Sequence, residues 1–417
     1  MVGGRTATAR KSVPLLLLLV VLALLVAGCG RDEGGDQAGA TDPGITAKSV
    51  KLGSSYPFSG PASAYGTIAK GVNAYFNFTN DKGGVNGRRI EFVTYDDGYE
   101  PQRALTNAKK LVEQDKVFAL FNTLGTANNL AIWDYANQQK VPQLFVATGA
   151  SNWGKDVAKH PYTIGWQPNY VTEAKVYAEY LKQSKPNAKV AVLYQNDAYG
   201  KDLLGGFKEG IAGSGVQVVD EQSYEVTDPS VASQVKKLAG SGADVFLDVT
   251  TPKFGAQAIA TVAQTRWKPL HILNNVAASK AQVLKPVGLD NAQGIVSTAY
   301  FKNPEDPKWA GDAAMTEYKT SLAKYEPGAD ANDPYNAYGW AVGNTMVRAL
   351  GQMKEPTRAS LMEAVRNLDV ENPLLLPGIK VQTGGTGDGY PIEAMQVQRF
   401  QGENFELVGS VIQAGAQ

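Results

Sequence analysis

Val50-Lys51-Leu52-Gly53-Ser54 leads through the loop Tyr56-Pro57-Phe58-Ser59-Gly60-Pro61-Ala62-Ser63-Ala64-Tyr65-Gly66 into Ala64 to Asn80, where apolar residues recur at helical spacing. The unit repeats as Ile90 to Tyr95 with Gln102 to Gln114, Val117 to Asn122 with Asn128 to Gln139, and then Leu144 to Ala147. Short β-branched runs alternating with segments of period 3.6 predict parallel βαβ units. The rhythm restarts after Pro168: a helix over Val171 to Gln183, a strand over Val190 to Tyr194, a helix over Leu203 to Ala212, and strands over Val216 to Ser223, Val245 to Val249 and Leu270 to Asn274. That predicts a second doubly wound sheet. From Pro307 the chain reads as helical over Trp309 to Lys324, Tyr338 to Met353 and Ser360 to Leu368, closing with strands at Met395 to Phe400 and Phe405 to Ile412. Single cores stop growing near ~250–300 residues, so roughly 370 ordered residues are expected to form two lobes.

Open α/β sheets place their crevice at the carboxyl ends of the strands, and two facing sheets make a cleft walled by loops. Three loops stand out: Tyr56 to Gly66, Thr123-Leu124-Gly125-Thr126-Ala127-Asn128, and Thr148-Gly149-Ala150-Ser151-Asn152. All three offer hydroxyls and the free amides of a helix start, a construction suited to an anion such as a carboxylate.

The amino terminus carries a different message. Arg5, Arg10 and Lys11 precede a 15-residue stretch, Val13 to Ala27, that is nearly all apolar and ends in Val26-Ala27-Gly28-Cys29. A membrane-spanning helix needs ~18 or more apolar residues, whereas a basic head, a short apolar run and small residues at the cut are a secretory signal. The ending resembles a bacterial lipobox, with Val26 where Leu is usual. That resemblance implies cleavage after residue 28, lipidation of Cys29 and attachment to the outer face of the cell membrane, for which a diacylglyceryl group supplies the two chains that stable anchoring requires. Gly30 to Thr46, rich in Gly, Asp, Ala and Pro, reads as a flexible tether. Cys29 is the single cysteine, so no internal disulfide is possible. Cleavage would remove three basic residues and leave 37 basic against 40 acidic, a net charge of about −3. With no basic cluster, counterion release gives no drive toward nucleic acid.

Ser59-Gly60-Pro61 with Tyr65-Gly66, Asn80-Asp81-Lys82-Gly83-Gly84-Val85-Asn86-Gly87, Tyr95-Asp96-Asp97, Asn196-Asp197-Ala198-Tyr199-Gly200, and Tyr335 with Tyr338-Gly339 occur in an order and spacing that resemble the type I periplasmic solute-binding proteins. The resemblance is to the branch serving ABC importers of leucine, isoleucine, valine and related acids, and it covers nearly the whole mature chain. It implies an α/β fold of two doubly wound lobes joined by three hinge crossovers, expected near Gly165 to Pro168, Val296 to Tyr300 and Leu376 to Val381. Lobe 1 would comprise 47–167 with 299–376, and lobe 2 168–298 with 377–413. Carried over by position, Gly125, Thr126, Gly149, Ala150 and Ser151 would meet a ligand carboxylate, Tyr65 would line the side-chain pocket, and Tyr199, Thr250 and Asn275 would close from the second lobe. Partners would be a small amino acid or organic acid, the permease and ATPase subunits of an importer, and the membrane through the lipid; a monomer is expected.

One departure bears on the ligand. Amino-acid binders of this branch hold the α-ammonium partly with a glutamate, after the strand that here reads Leu270-His271-Ile272-Leu273-Asn274-Asn275 and continues with Val276; a tyrosine after the preceding strand is replaced by Thr250 and Thr251. An ionised partner contributes on the order of 1.5–3 kcal/mol, about tenfold to more than a hundredfold in affinity. A small organic acid is therefore expected, with Asp197 or Asp248 as substitutes if an amino acid binds. No catalytic residue, metal site or cofactor is expected. Gly149 to Lys155 has phosphate-loop spacing, but Asp156 stands where Ser or Thr must bind magnesium. His160 and His271 lie in no metal-ligand spacing, and no GxSxG elbow is present. The other function classes are a ligand-sensing subunit of a membrane receptor and a secreted hydrolase. Of the aromatics Tyr56, Phe58, Trp133, Trp153 and Trp166 near the first-lobe loops, Trp166 is placed to report closure.

Overall fold

β1 (Ser49–Tyr56) is buried continuously from Leu52 to Tyr56, as befits a strand covered on both faces. The computed structural model describes residues 1–5 and 42–413, so Cys29, the apolar run before it and most of the expected tether lie outside the described residues. The tether reading fails at its end. Ile45 is buried and bridges Val50, while the Arg358 amide donates to Asp42 Oδ2 at 2.6 Å, so the chain is packed from Asp42 onward. The Lys51 amide donates to the Gly44 carbonyl at 2.7 Å and Arg88 Nε to the Thr46 carbonyl at 2.7 Å, which fastens this segment beside β1.

The first sheet adds β2 (Arg89–Asp96), β3 (Ala119–Phe121), β4 (Gln143–Val146) and β5 (Thr163–Gly165), in the order β2-β1-β3-β4-β5 and parallel throughout. Its helices are α1 (Ile68–Asp81), α2 (Pro101–Glu113) and α3 (Thr126–Gln138). The second lobe begins with α4 (Tyr170–Ser184), β6 (Lys189–Gln195), α5 (Ala198–Ile211) and β7 (Gln217–Tyr224). It continues with α6 (Ala232–Ala239), β8 (Val245–Val249), α7 (Pro252–Ala263), β9 (Leu270–Leu273) and β10 (Val296–Ala299). Three helices, α8 (Ala313–Tyr325), α9 (Pro334–Gly351) and α10 (Arg358–Val365), precede the small ribbon of β11 (Asp369–Val370) and β12 (Val381–Gln382). The hairpin β13 (Ala394–Gln401) and β14 (Asn404–Gln413) completes a seven-stranded sheet, β14-β13-β10-β9-β8-β6-β7. Its β7-to-β10 part is parallel and the hairpin joins antiparallel.

The quoted motifs do local work. Asn80 pins the start of β2: its Oδ1 accepts from the Ile90 amide at 2.7 Å and its Nδ2 donates to the Ile90 carbonyl at 2.9 Å. Ser59 donates through Oγ to Asp96 Oδ2 at 2.6 Å, tying the loop after β1 to the end of β2. Gly71 and Gly339 let α1 and α9 touch, since a Cβ at either would lie 1.9 Å from the Asn336 oxygen or 2.1 Å from the Ile68 oxygen.

Two expected crossovers differ in detail. Val296 to Tyr300 contains strand β10, and the passage follows it, where Phe301 bridges Leu375. Leu376 to Val381 runs into β12, and the Gly165 amide donates to the Gly389 oxygen at 3.0 Å, so the chain stays with the first lobe before β13 begins. β13 then pairs antiparallel with β10.

Candidate functional site

Tyr99 sits where the chain leaves β2. Asp97 is buried beneath it, accepting from Ser55 Oγ at 2.7 Å and from the Tyr99 amide at 2.8 Å; burial raises its carboxyl above the usual range. Tyr99 adopts a left-handed φ of +66°, uncommon for a bulky side chain, and its ring lies against Gly125. Gly125 precedes α3 at φ +97°, and a Cβ there would meet the Tyr99 ring at 2.7 Å. Only glycine satisfies both demands. The neighbouring Thr126 hydroxyl shares a 2.6 Å hydrogen bond with that of Thr148.

The second lobe contributes Tyr199 in the first turn of α5, whose cap Asp197 accepts from the Gly200 amide at 3.1 Å. The Tyr199 hydroxyl donates to the Thr250 carbonyl at 3.0 Å, and its ring stands edge-on to Tyr170, centroids 5.1 Å apart. After β9 the Asn275 amide donates to Glu173 Oε1 at 2.6 Å, and the Asn275 side chain donates to the Thr298 carbonyl. Glu173 is only 2% exposed and also accepts from the Tyr177 hydroxyl at 2.7 Å; burial pushes its carboxyl up to about 7.

Between these walls lies a cleft of about 940 Å³, its mouth included. Seven tyrosines line it: Tyr65, Tyr99, Tyr170, Tyr199, Tyr300, Tyr335 and Tyr338. Burial raises every one of their phenols above the ordinary value. The lobes meet across the cleft: the hydroxyls of Tyr65 and Tyr335 both donate to the Val276 carbonyl, at 3.0 and 2.9 Å, their rings 5.0 Å apart. Gln167, in the first crossover, accepts from the Tyr338 hydroxyl at 3.2 Å. Among the described lining residues none is acidic, and Lys280 alone carries a formal charge.

Of the residues expected at the ligand, Tyr65, Gly125, Thr126, Tyr199 and Asn275 line this cleft, and Gly149, Ala150, Ser151 and Thr250 do not. Gly149 packs against Pro168 and Tyr170, and Ala150 is buried in the cluster of Trp133 and Trp153. Ser151 donates from its amide and hydroxyl to Asp202, at 2.6 and 2.7 Å, and accepts from Lys155 at 2.7 Å. Thr250 turns its hydroxyl to Asp248 at 2.6 Å and offers only its carbonyl, to Tyr199. Sequence reasoning missed Tyr99, Tyr170 and Tyr300, and placed Tyr335 and Tyr338 in the motifs without assigning them to the site. The signal for Tyr99 was its place at the carboxyl end of β2, a loop that resembles a plain turn.

Neither substitute carboxylate reaches the cleft. Asp248 is buried against His271 Nε2 at 3.0 Å, and Asp197 is held by Gln195 at 2.7 Å. His160 stacks on Trp133, centroids 3.7 Å apart, and pairs with Asp134 at 2.7 Å. Trp153 is fully buried, with Nε1 donating to the Thr148 carbonyl at 3.1 Å, and Phe58 is exposed. Trp166 is also buried, edge-on to Tyr338 at 4.9 Å and thus directly behind the cleft. Among the described residues no cluster of His, Cys, Asp or Glu is built to hold a metal, and no helix is long and apolar enough to cross a membrane.

The periplasmic binding protein family model matches residues 49–404. A Leu/Ile/Val-binding protein homolog of Brucella abortus is 24% identical over 348 residues, 80% of this chain and 84% of that protein. A branched-chain amino acid ABC transporter structure from Thermus thermophilus with bound valine superposes with a TM-score of 0.78 at 17% identity, covering 88% of this chain and 97% of its own. A fatty acid ABC transporter substrate-binding protein from Thermomonospora curvata gives 0.76 at 21% identity, covering 90% and 95%. Two α/β lobes closing over a tyrosine-lined cleft, with the family match spanning nearly every described element, make this chain a member of the periplasmic binding protein family, of the Leu/Ile/Val-binding type.

Proposed function

We propose that this chain is the lipid-anchored, extracytoplasmic substrate-binding subunit of an ABC importer, and that it captures a small organic acid rather than an amino acid. The observation that carries the ligand reading is the character of the cleft: seven tyrosines, a single lysine and no carboxylate side chain. A zwitterion buried there would leave its ammonium without a charged partner, and an unpaired buried charge is costly. An acid with an apolar body has rings to lie against. Of the two structural relatives, one holds bound valine and the other is named for fatty acid transport, which is compatible with either chemistry in this fold.

Capture follows from the two walls. Ligand docks on the first-lobe surface around Gly125, Thr126 and Tyr99, and closure brings Tyr199, Asn275 and Val276 onto it. A ligand shifts the open–closed equilibrium only by its differential affinity, and moving from 1:99 to 99:1 takes about 5.5 kcal/mol of contacts made on closure. The Tyr65 and Tyr335 bonds to Val276 form without the ligand and help set where that equilibrium starts. Delivery to the permease is then release on reopening, with no bond made or broken.

The test is a thermal-shift screen over amino acids and organic acids, followed by calorimetric titration. Saturation at about 100 times the dissociation constant raises stability by about 2.7 kcal/mol. The reading expects aliphatic or aromatic acids to bind and leucine, valine and glutamate to fail; micromolar binding of a plain amino acid would overturn it. Fluorescence of Trp166, behind the Tyr338 ring, gives a second readout of closure.

A further inference from the structure

We propose that Lys280 is the carboxylate partner of the ligand, which makes that ligand a monoanionic acid whose apolar or aromatic body lies on the tyrosine walls. This rests on the organic-acid reading and sharpens it, because it moves the acid group from the first-lobe loops to the second lobe.

Three observations carry it. Among the described residues Lys280 is the one formally charged residue lining the cleft, 9% exposed, and it also borders a second, polar hollow lined by Glu305, Asp306, Lys319, Glu403 and Asn404. Its ammonium is loosely held: Glu305 Oε1 lies 3.6 Å away, whereas an ammonium has three donors to place. The same Glu305 oxygen lies 3.2 Å from Lys285, so one carboxylate oxygen serves two cations. The backbone is built to hold the side chain there. Lys280 opens a single π-turn, Lys280–Leu284, capped by Ser279 Oγ, which accepts from the Gln282 amide at 3.1 Å. Single π-turns are frequent at functional sites.

Two of the first-lobe hydroxyls expected to meet the acid are engaged. Ser151 gives its amide and hydroxyl to Asp202, and the Thr126 hydroxyl is engaged with Thr148. A carboxylate entering the cleft must find a partner to offset its lost hydration, and Lys280 offers the charge. Tyr300, Phe301 and Phe405, which line the same cleft, are apolar surface for the rest of the molecule.

The test compares each acid with its uncharged isostere: 3-phenylpropanoate with 3-phenylpropanamide, and octanoate with octanamide, titrated calorimetrically into the wild type, Lys280→Gln and Lys280→Arg. The expected result is that an acid binds the wild type at least ~10-fold more tightly than its amide, a gap of about 1.4 kcal/mol. Lys280→Gln should erase the gap while leaving amide affinity within about twofold, which also shows that the variant is folded, and Lys280→Arg should keep most of it. If Lys280→Gln does not fold, Glu305→Gln serves instead: it frees the ammonium and should tighten the acid several-fold without affecting the amide. An acid preference that survives Lys280→Gln, or an acid affinity unchanged by Glu305→Gln, overturns the assignment and leaves the organic-acid reading standing. Wild-type protein that binds leucine and neither acid overturns both, and failure of every probe overturns this ligand class while the wider screen decides the reading beneath it.

Discussion

The carboxylate of Asp202, on the second lobe, accepts from both the amide and the hydroxyl of Ser151, on the first, at 2.6 and 2.7 Å. It occupies the loop that the family resemblance assigns to a ligand's own acid group. The interlobe surface thus carries a clasp made by the protein itself. Hydrogen bonds to a charged group contribute about 1.5–3 kcal/mol each, less where solvent reaches the pair, as it does at half-buried Asp202. Asp202→Ala should shift the unliganded protein toward the open form, seen as a larger radius of gyration in X-ray scattering, and weaken ligand binding by about tenfold. An unchanged scattering profile would show that the clasp contributes nothing to closure.

The Val276 carbonyl receives two phenols at once. Tyr65→Phe or Tyr335→Phe removes one donor and leaves the other, so each single change should weaken binding only about twofold. The double variant strips the carbonyl of both tyrosine donors across the cleft, and with a net worth of about 0.5–1.5 kcal/mol per bond it should weaken binding more than the two single effects combined. Calorimetry on all four proteins measures the coupling.

Gly125→Ala combines a forbidden backbone angle with a collision against Tyr99. Strain of this kind costs about 1–3 kcal/mol. A lower melting temperature, together with loss of ligand-induced stabilisation, is the expected outcome in differential scanning calorimetry.

Glu173 ties stability to pH. Its carboxyl is raised from 4.5 to about 7 by burial, so between those values the folded chain holds a proton that the unfolded chain has released. Stability from this group is therefore fully present below about 4.5 and declines as pH rises to about 7. Glu173→Gln keeps acceptors for the Asn275 amide and the Tyr177 hydroxyl, cannot titrate, and should lose less melting temperature than the wild type between pH 5 and pH 8. Parallel curves for the two proteins would contradict the assignment.

Cys29→Ser removes the sulfur that the proposed anchor requires. Expressed in a bacterial host, the variant should shed its radiolabelled fatty acid and leave the membrane fraction, while the purified residues from Asp42 onward keep their fold and ligand affinity. Retention on the membrane would argue against lipid attachment.

The sheets were legible because parallel strands buried on both faces are continuous β-branched runs; Val190 to Tyr194 and Val245 to Val249 differ from the observed strands by two residues or fewer. Thr163–Gly165 escaped because three residues carry no periodicity, and α6 and α7 were passed over between stronger strand signals. The site was half legible. Tyr65 and Thr126 follow strands in loops that advertise themselves, whereas Tyr99, Tyr170 and Tyr300 reach the cleft through a strained turn and two crossovers, where orientation depends on contacts far away in the chain. Ser151 was misread for a related reason: a hydroxyl in a suitable loop does not reveal that Asp202 already fills it.

The cleft phenols carry one last consequence. Held above their ordinary range by burial, all seven keep their protons wherever a free tyrosine would, so a change of acidity within that range puts no charge on these walls. Whatever dependence on acidity the grip shows must then enter through the solute's own acid group or through a buried carboxyl such as Glu173, and not through the tyrosine lining.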